Sequence, residues 1–225
     1  DAQESRGLGD VYKRQLYQAG SSGRGQAFAA RHAECVFVSS QTKEGLRKLV
    51  AEVRESVARE GRNPRDIKFF MGVTAVVGRT QAEAREKHAE YLRYANPEAG
   101  LAHYASSTGI DFSRYGAQEP IRYVKNNAIE SAVKNLTVTR TDRTVTDLLA
   151  DMALGGRYPA LVGSAAQVAD ELESWVAETD IDGFNLARTV TPECYGDFID
   201  LVIPELQSRG SYKTAYAEGL SLIHI

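Results

Sequence analysis

Apolar residues along this chain follow two rhythms that alternate. Short runs that are apolar at nearly every position, Leu16-Tyr17-Gln18-Ala19, Cys35 to Val38 and Ile67 to Val77, have the look of buried strands, the last rich in β-branched and aromatic residues. Each gives way to a polar break and then to helical spacing. Gln26 to His32 reads as a helix. Leu46, Leu49, Val50, Val53 and Val57 then recur three and four apart with Lys, Arg and Glu between them, until Gly61-Arg62-Asn63-Pro64 stops the pattern. Thr80-Gln81-Ala82-Glu83 has the form of a capping box that opens a helix toward Tyr94.

From Asn96 to about Asp142 the pattern weakens into turn signals among scattered aromatics, which predicts an irregular insertion with short helices. Thr144 to Leu154 is helical and Gly155-Gly156 ends it. Ala160-Leu161-Val162 leads into a second capping box, Ser164-Ala165-Ala166-Gln167, after which Val168, Leu172, Trp175 and Val176 mark one buried helix face. Asp182 to Ala187 is a final strand, and Phe198, Leu201, Val202 and Leu206 give a last amphipathic helix. Strands alternating with helices imply βαβ units and parallel strands, in a barrel or in an open doubly wound sheet.

Composition narrows the class. The 225 residues carry a net charge of -3, with 25% charged and 43% hydrophobic residues, which suits a globular enzyme with a sizeable core. Acidic and basic residues are interspersed, so no charge patch points to nucleic acid or to an anionic membrane. No apolar run approaches the roughly 20 residues of a membrane helix. Cys35 and Cys194 form no CxxC pair and read as reduced, buried thiols, in keeping with a cytoplasmic protein. His32, His88 and His103 fall on helical stretches without partners at metal-ligand spacing, so no metal is assigned.

Both ends look foreign. A DNA string that encodes Asp10 to Gln15 gives, on its opposite strand, Leu-Ser-Leu-Ile-His-Ile, which is the segment Leu220 to Ile225. The element resembles the mosaic end of a transposase-based sequencing adapter. Residues 1–15 are therefore read as a non-native leader, 16–219 as the protein proper and 220–225 as a non-native tail.

The candidate chemistry lies at the first strand-to-helix turn. At Ala19-Gly20-Ser21-Ser22 the glycine lets backbone approach closely, and free N–H groups with serine hydroxyls can hold a phosphate. The turn lacks the lysine of a P-loop and the spacing of a GxGxxG fingerprint. It can also be a plain turn.

In its context this segment says more. QAGSSGRGQAFAARHAECVFV, GRNPRDIKFFMGVTAVVGRTQAEA, STGIDFSRYGAQEP, LVGSAAQVADELESWVAETDIDGFNLAR and DLVIPELQSRGSYKTAYAEG occur in order across Leu16 to Gly219. Together they resemble the nitrilotriacetate and dibenzothiophene-sulfone monooxygenase group of the bacterial luciferase-like superfamily. The resemblance implies an α/β fold, the C-terminal half of a (β/α)8 TIM barrel with an insertion near 96–142 and four remaining strands. It implies a flavin-dependent monooxygenase in which reduced FMN, supplied by a separate NAD(P)H:flavin reductase, and O2 oxygenate a small organic substrate, with C–S or C–N cleavage in some members. Ala19, Gly20, Ser21 and Ser22 would lie against the FMN phosphate, at the end of the barrel where phosphate sites gather. The intact parent would be a homo-oligomer. Tyr104, Phe112 and Tyr115 are candidate pocket contacts or packing residues, and Asn185 faces either the flavin or a neighbouring loop. The family's catalytic residues fall largely upstream of Leu16, so none is named here. A non-catalytic flavin- or deazaflavin F420-binding barrel protein, or an inactive gene fragment, is the alternative.

Overall fold

The structure, a computed structural model, describes residues 15–19, 22–120, 144–154 and 158–215. Apart from Gln15, the leader and tail read as foreign lie outside the described residues, as do Gly20 and Ser21. The elements follow the predicted alternation: β1 (Tyr17–Ala19), α1 (Gly23–His32), β2 (Cys35–Val38), α2 (Lys43–Arg59), β3 (Lys68–Gly78), α3 (Gln81–Tyr94), α4 (Pro97–Thr108) and a 3-10 turn at Phe112–Arg114. Then come α5 (Val145–Met152), β4 (Ala160–Ser164), α6 (Ala165–Thr179), β5 (Gly183–Ala187), α7 (Glu193–Asp197), a π-helical stretch at Phe198–Val202 and α8 (Ile203–Ser208).

Among the described residues every strand pairing is parallel. β1 pairs β2, β2 pairs the start of β3, and β5 pairs β3 from Phe70 to Thr74. A fifth strand, β4, joins at Thr74 to Gly78, where four had been expected. Backbone direction places it. Lys68 N donates to Glu34 O at 2.8 Å and Thr74 N to Pro159 O at 2.9 Å, both even positions, whereas Asp182 N reaches the odd Phe69 O at 2.9 Å. Strand N–H and C=O groups alternate edges, so β4 continues the edge that β2 leaves, and β5 holds the other.

The same alternation sorts side chains. Phe69, Met71, Val73, Ala75 and Val77 of β3 join one core with Val36 and Val38, with Leu46, Val50, Val53 and Val57 of α2, and with Val168, Leu172 and Trp175 of α6. That is the outer, helix-covered face. Val176 departs from the expected stripe: it is exposed, and Thr179 takes the buried position, its hydroxyl donating to Trp175 O at 2.6 Å. Spacings of four, three and four from Val168 reach Leu172, Trp175 and Thr179, which leaves Val176 beside the stripe.

Polar groups pin this layer. Arg62 donates to Ala29 O, Ala30 O and Ala33 O at 3.2, 2.9 and 2.7 Å, satisfying carbonyls at the end of α1. Buried Arg54 donates to Pro64 O (2.5 Å), Ile67 O (3.3 Å) and Asp180 O (2.9 Å), and lies over the Phe69 ring. Its Nε is 2.7 Å from Asp180 Oδ2, close but poorly aligned, so that contact is an ion pair rather than a hydrogen bond. Asp182 accepts from Arg54, Lys68 and Phe69 N, tying the start of β5 to that of β3.

The predicted capping boxes differ in detail. Ser164 and Gln167 form the reciprocal pair. Thr80 caps Glu83 N, but the Glu83 carboxylate accepts from Arg79 N rather than from Thr80. Between α7 and α8 the π-helical stretch precedes Pro204, whose missing N–H and bulky ring do not fit an uninterrupted α-helix.

The insertion is more regular than its sequence suggested. Asn96 caps α4 through Ala99 N at 2.9 Å, Pro97 starts it, and Gly109 ends it in the left-handed region at φ 65°. α4 and α5 enclose a second, small core of Ile110, Phe112, Val145 and Leu148. Residues 121–143 of the insertion lie outside the described residues.

Candidate functional site

The strand register defines a mouth where the C-terminal ends of β1 and β2 lie beside the first half of β3 and the start of β5. Ala19, Phe37, Phe70 and Gly183 stand in one row across β1, β2, β3 and β5, with Gly72 beside Asn185 in the next row and Thr74 beside Ala187 after it. All lie on the inner face, opposite the helices. Tyr17 and Phe37 stack with centroids 5.5 Å apart, and Phe37 and Phe70 follow at 6.3 Å. Tyr17 remains 47% and Phe37 36% exposed, so this chain leaves an aromatic surface uncovered along the inner face.

At the edge of the mouth, β1 runs through the predicted phosphate turn into α1. Ala19 ends the strand, Gly20 and Ser21 lie outside the described residues, and Ser22 is the N-cap, its Oγ accepting from Gly25 N at 3.2 Å. Acting as an acceptor leaves the Ser22 hydroxyl proton free to donate. No acidic side chain occupies the first turn of α1, and a Cβ on Gly23 would meet nothing within 4 Å. Accessible N–H groups, a positive helix end and a spare hydroxyl fit an anionic phosphate. The row of rings beside Ala19 fits a flat, largely apolar ring system.

Other expected residues separate from this site. Tyr104 and Phe112 stack at 6.1 Å and, with Tyr115, pack in the α4–α5 core, so they serve the insertion rather than the mouth or the outer helices. Asn185 is exposed on the inner face, beside Gly72. Cys35 and Cys194 are buried free thiols, and burial above all pushes the Cys35 thiol up, keeping it protonated. His32, His88 and His103 sit on α1, α3 and α4.

Two features escaped the sequence. One is Tyr158, whose ring lies against Gly72: a Cβ built on Gly72 would come within 2.6 Å of Cζ and closer still to Cδ1 and Cε1. The other is Thr74, 1% exposed with a hydroxyl that makes no hydrogen bond. Neither carries a local signal, because both depend on how β4 pairs β3. A separate cleft of about 560 Å³ lies on the outer layer between α3 and α7, lined by Glu83, Glu86, Glu90, Glu193, Lys87 and Tyr91 among others. Lys87 bridges Glu193 and Asp197 there, and burial followed by Glu193 raises the Tyr91 hydroxyl above its usual range. That acidic lining repels a phosphate, so the flavin site is not assigned to it.

Comparison with known proteins decides the family. The luciferase-like monooxygenase family profile matches residues 3–182. The chain belongs to that family. Over 206 residues it is 41% identical to the dimethyl-sulfide monooxygenase of Hyphomicrobium sulfonivorans, covering 91% of this chain and 43% of that protein. Over 205 residues it is 40% identical to the long-chain alkane monooxygenase of Geobacillus thermodenitrificans, covering 91% and 42%. The crystal structure of the riboflavin lyase RcaE, solved with modified FMN and riboflavin, superposes with a TM-score of 0.82 at 33% identity, over 93% of this chain and 47% of that one. The nitrilotriacetate and dibenzothiophene-sulfone monooxygenases of Aminobacter aminovorans and Rhodococcus erythropolis are relatives at 32% identity. These matches choose the barrel over the open sheet: the luciferase-like chain has the α/β fold of part of a TIM barrel and spans less than half the length of the curated relatives it matches. Among the described residues, no helix is long and apolar enough to cross a membrane.

Proposed function

We propose that this luciferase-like chain supplies the C-terminal part of a flavin-dependent monooxygenase barrel that oxygenates a small organic compound with O2 and reduced FMN from a separate NAD(P)H:flavin reductase. The observation that carries the reading is the adjacency of an acid-free, Ser22-capped helix start to the aromatic row headed by Ala19. Phosphate and ring of one flavin would meet complementary surfaces there.

Ala19, Gly20, Ser21 and Ser22 would hold the phosphate, with the first-turn N–H groups of α1 and the Ser22 hydroxyl donating. Phe37 and Phe70 would present an apolar wall to the ring and keep water from it. Asn185 offers a neutral donor and acceptor on the same face. Bound reduced FMN would supply the electrons that activate O2, one oxygen atom passing to the substrate and the other leaving as water. C–S or C–N cleavage would follow where the oxygenated carbon bears the heteroatom.

The test combines two measurements. FMN is titrated by calorimetry, and a reductase-coupled assay follows oxygenation of dimethyl sulfide, an alkane, a sulfone and nitrilotriacetate, with the rest of the barrel supplied in trans. Expected are saturable FMN binding and product from at least one acceptor. FMN binding with no oxygenation of any acceptor would move the reading to a non-catalytic flavin-binding barrel.

A further inference from the structure

We propose that the Tyr158 ring is the wall that limits the size of the acceptor molecule at the mouth, and that this acceptor is neutral and apolar; the inference rests on the flavin reading for the reaction but not for the shape of the pocket. Thr74 pairs Ala160, which brings Tyr158 level with Gly72 in the gap on one edge of β3 between the end of β2 and the start of β4. Asn185 flanks Gly72 on the other edge. The ring is held by its neighbour: Pro159 O accepts from Thr74 N at 2.9 Å, so β4 carries Tyr158 into place as it docks.

Gly72 is the complement of this ring. Glycine in mid-strand has a conformational cost, and this one lies at the centre of an 11-residue strand where any Cβ would strike Tyr158. The missing side chain is therefore space that the ring fills. Without the ring, a slot one phenol wide would open between Phe70 and Thr74, in the row that carries Asn185.

The chemistry of the wall selects what fits beside it. Rings and neutral dipoles face inward at this level: Phe70, the Tyr158 ring, the Thr74 hydroxyl and the Asn185 amide. Lys68, the charged residue on the inner face of β3, lies two positions before Phe70 and four before Gly72, and its ammonium is already paired with Asp182 at 3.1 Å. A polycarboxylate entering here would lose hydration without an ionic partner on this wall, whereas an apolar molecule gains from burial.

Neutral fluorescent probes of two and three fused rings, 2-naphthol and 1-aminoanthracene, are titrated into the chain and into Tyr158→Ala, Tyr158→Leu and Tyr158→Phe, with FMN titrated alongside. Removing the ring should tighten 1-aminoanthracene by about tenfold or more, because the freed slot adds a ring's worth of apolar burial. Tyr158→Phe should match the parent, and Tyr158→Leu should shift in the same direction as Ala, which keeps the test open if Ala unfolds. Gly72→Ala should lower the melting temperature much more with Tyr158 present than in Tyr158→Ala. Unchanged probe affinity in both truncations, or an equal Gly72→Ala loss in both backgrounds, overturns the wall. Displacement of the probe by nitrilotriacetate overturns the neutral acceptor. If FMN fails to bind while the probe shift persists, the flavin reading falls and the wall stands.

Discussion

Replacing Arg54 with Met would test whether the mouth is held in register from outside. The Arg54 side chain is 10% exposed and serves two groups of acceptors, the carbonyls of Pro64 and Ile67 on one side and Asp180 and Asp182 on the other. Removing one member of a fully buried ion pair costs about 3–5 kcal/mol. Asp180 and Asp182 are 48% and 24% exposed and can be rehydrated, so their share is discounted and the expected loss is about 2–4 kcal/mol. For a chain of this size that lowers the melting temperature by roughly 5–15 °C. Met retains the apolar contact with Phe69, which isolates the polar contribution. Arg54→Lys should recover less than half of the loss, since one ammonium cannot reach both groups. Urea unfolding followed by circular dichroism measures both. A loss under about 1 kcal/mol, the size of an exposed pair, or full recovery with Lys, would refute the reasoning.

Ser22→Ala should destabilise the chain by about 1 kcal/mol through loss of the cap to Gly25 N, read by thermal unfolding. Together with Ser21→Ala it should weaken FMN by a few kcal/mol at most, at about 1.5–3 for each charge-assisted bond, and unchanged calorimetric affinity would remove the phosphate assignment. Acid should expose Asp180: burial pulls its carboxyl up, but Arg65 and Arg54 outweigh that and hold it below the usual range. Its contribution is present above the unfolded value of about 3.9 and is lost as pH falls through the lower folded value. The urea midpoint of the parent should therefore drop more steeply below about pH 4 than that of Asp180→Asn, a substitution that tolerates the φ of 60° there. Trp175→Ala, in the outer core, should cost about 3–5 kcal/mol by the same unfolding assay.

How far the sequence reveals this molecule depends on whether a signal is local. α2 was legible because its stripe from Leu46 to Val57 faces one large core. α4 carried clear start and stop residues in Asn96-Pro97 and Gly109, yet it read as irregular: its apolar residues serve the small α4–α5 core and make no continuous stripe. β4 looked like a lead-in to the Ser164 cap because a short apolar run becomes a strand only through its pairing with Thr74 to Gly78. The end of β1 at Ala19 and the capping role of Ser22 at the start of α1 were visible, because each has a local signal. Tyr158 and Gly72 were not, since nothing near either residue says that they meet.

β3 shows why the remote contacts matter to the mouth. From Met71 to Gly78 it is buried on both faces, so burial alone discriminates weakly between two registers one residue apart. A slip would turn Phe69 and Met71 into the mouth and press Lys68, Gly72 and Thr74 against the helices. Polar contacts at defined positions oppose that slip: Lys68 N to Glu34 O, Phe69 N to the Asp182 carboxylate, Asp182 N to Phe69 O and Thr74 N to Pro159 O. The first three lie at the start of the strand, with Arg54 and Lys68 securing Asp182. They fix which residues face inward, and therefore that Gly72 rather than a larger neighbour stands where β4 delivers Tyr158. A substitution in the Arg54–Asp182 contacts should then disturb ligand affinity at the mouth without touching it, whereas an even-numbered inner-face substitution such as Thr74→Val should alter affinity while leaving the outer core packed.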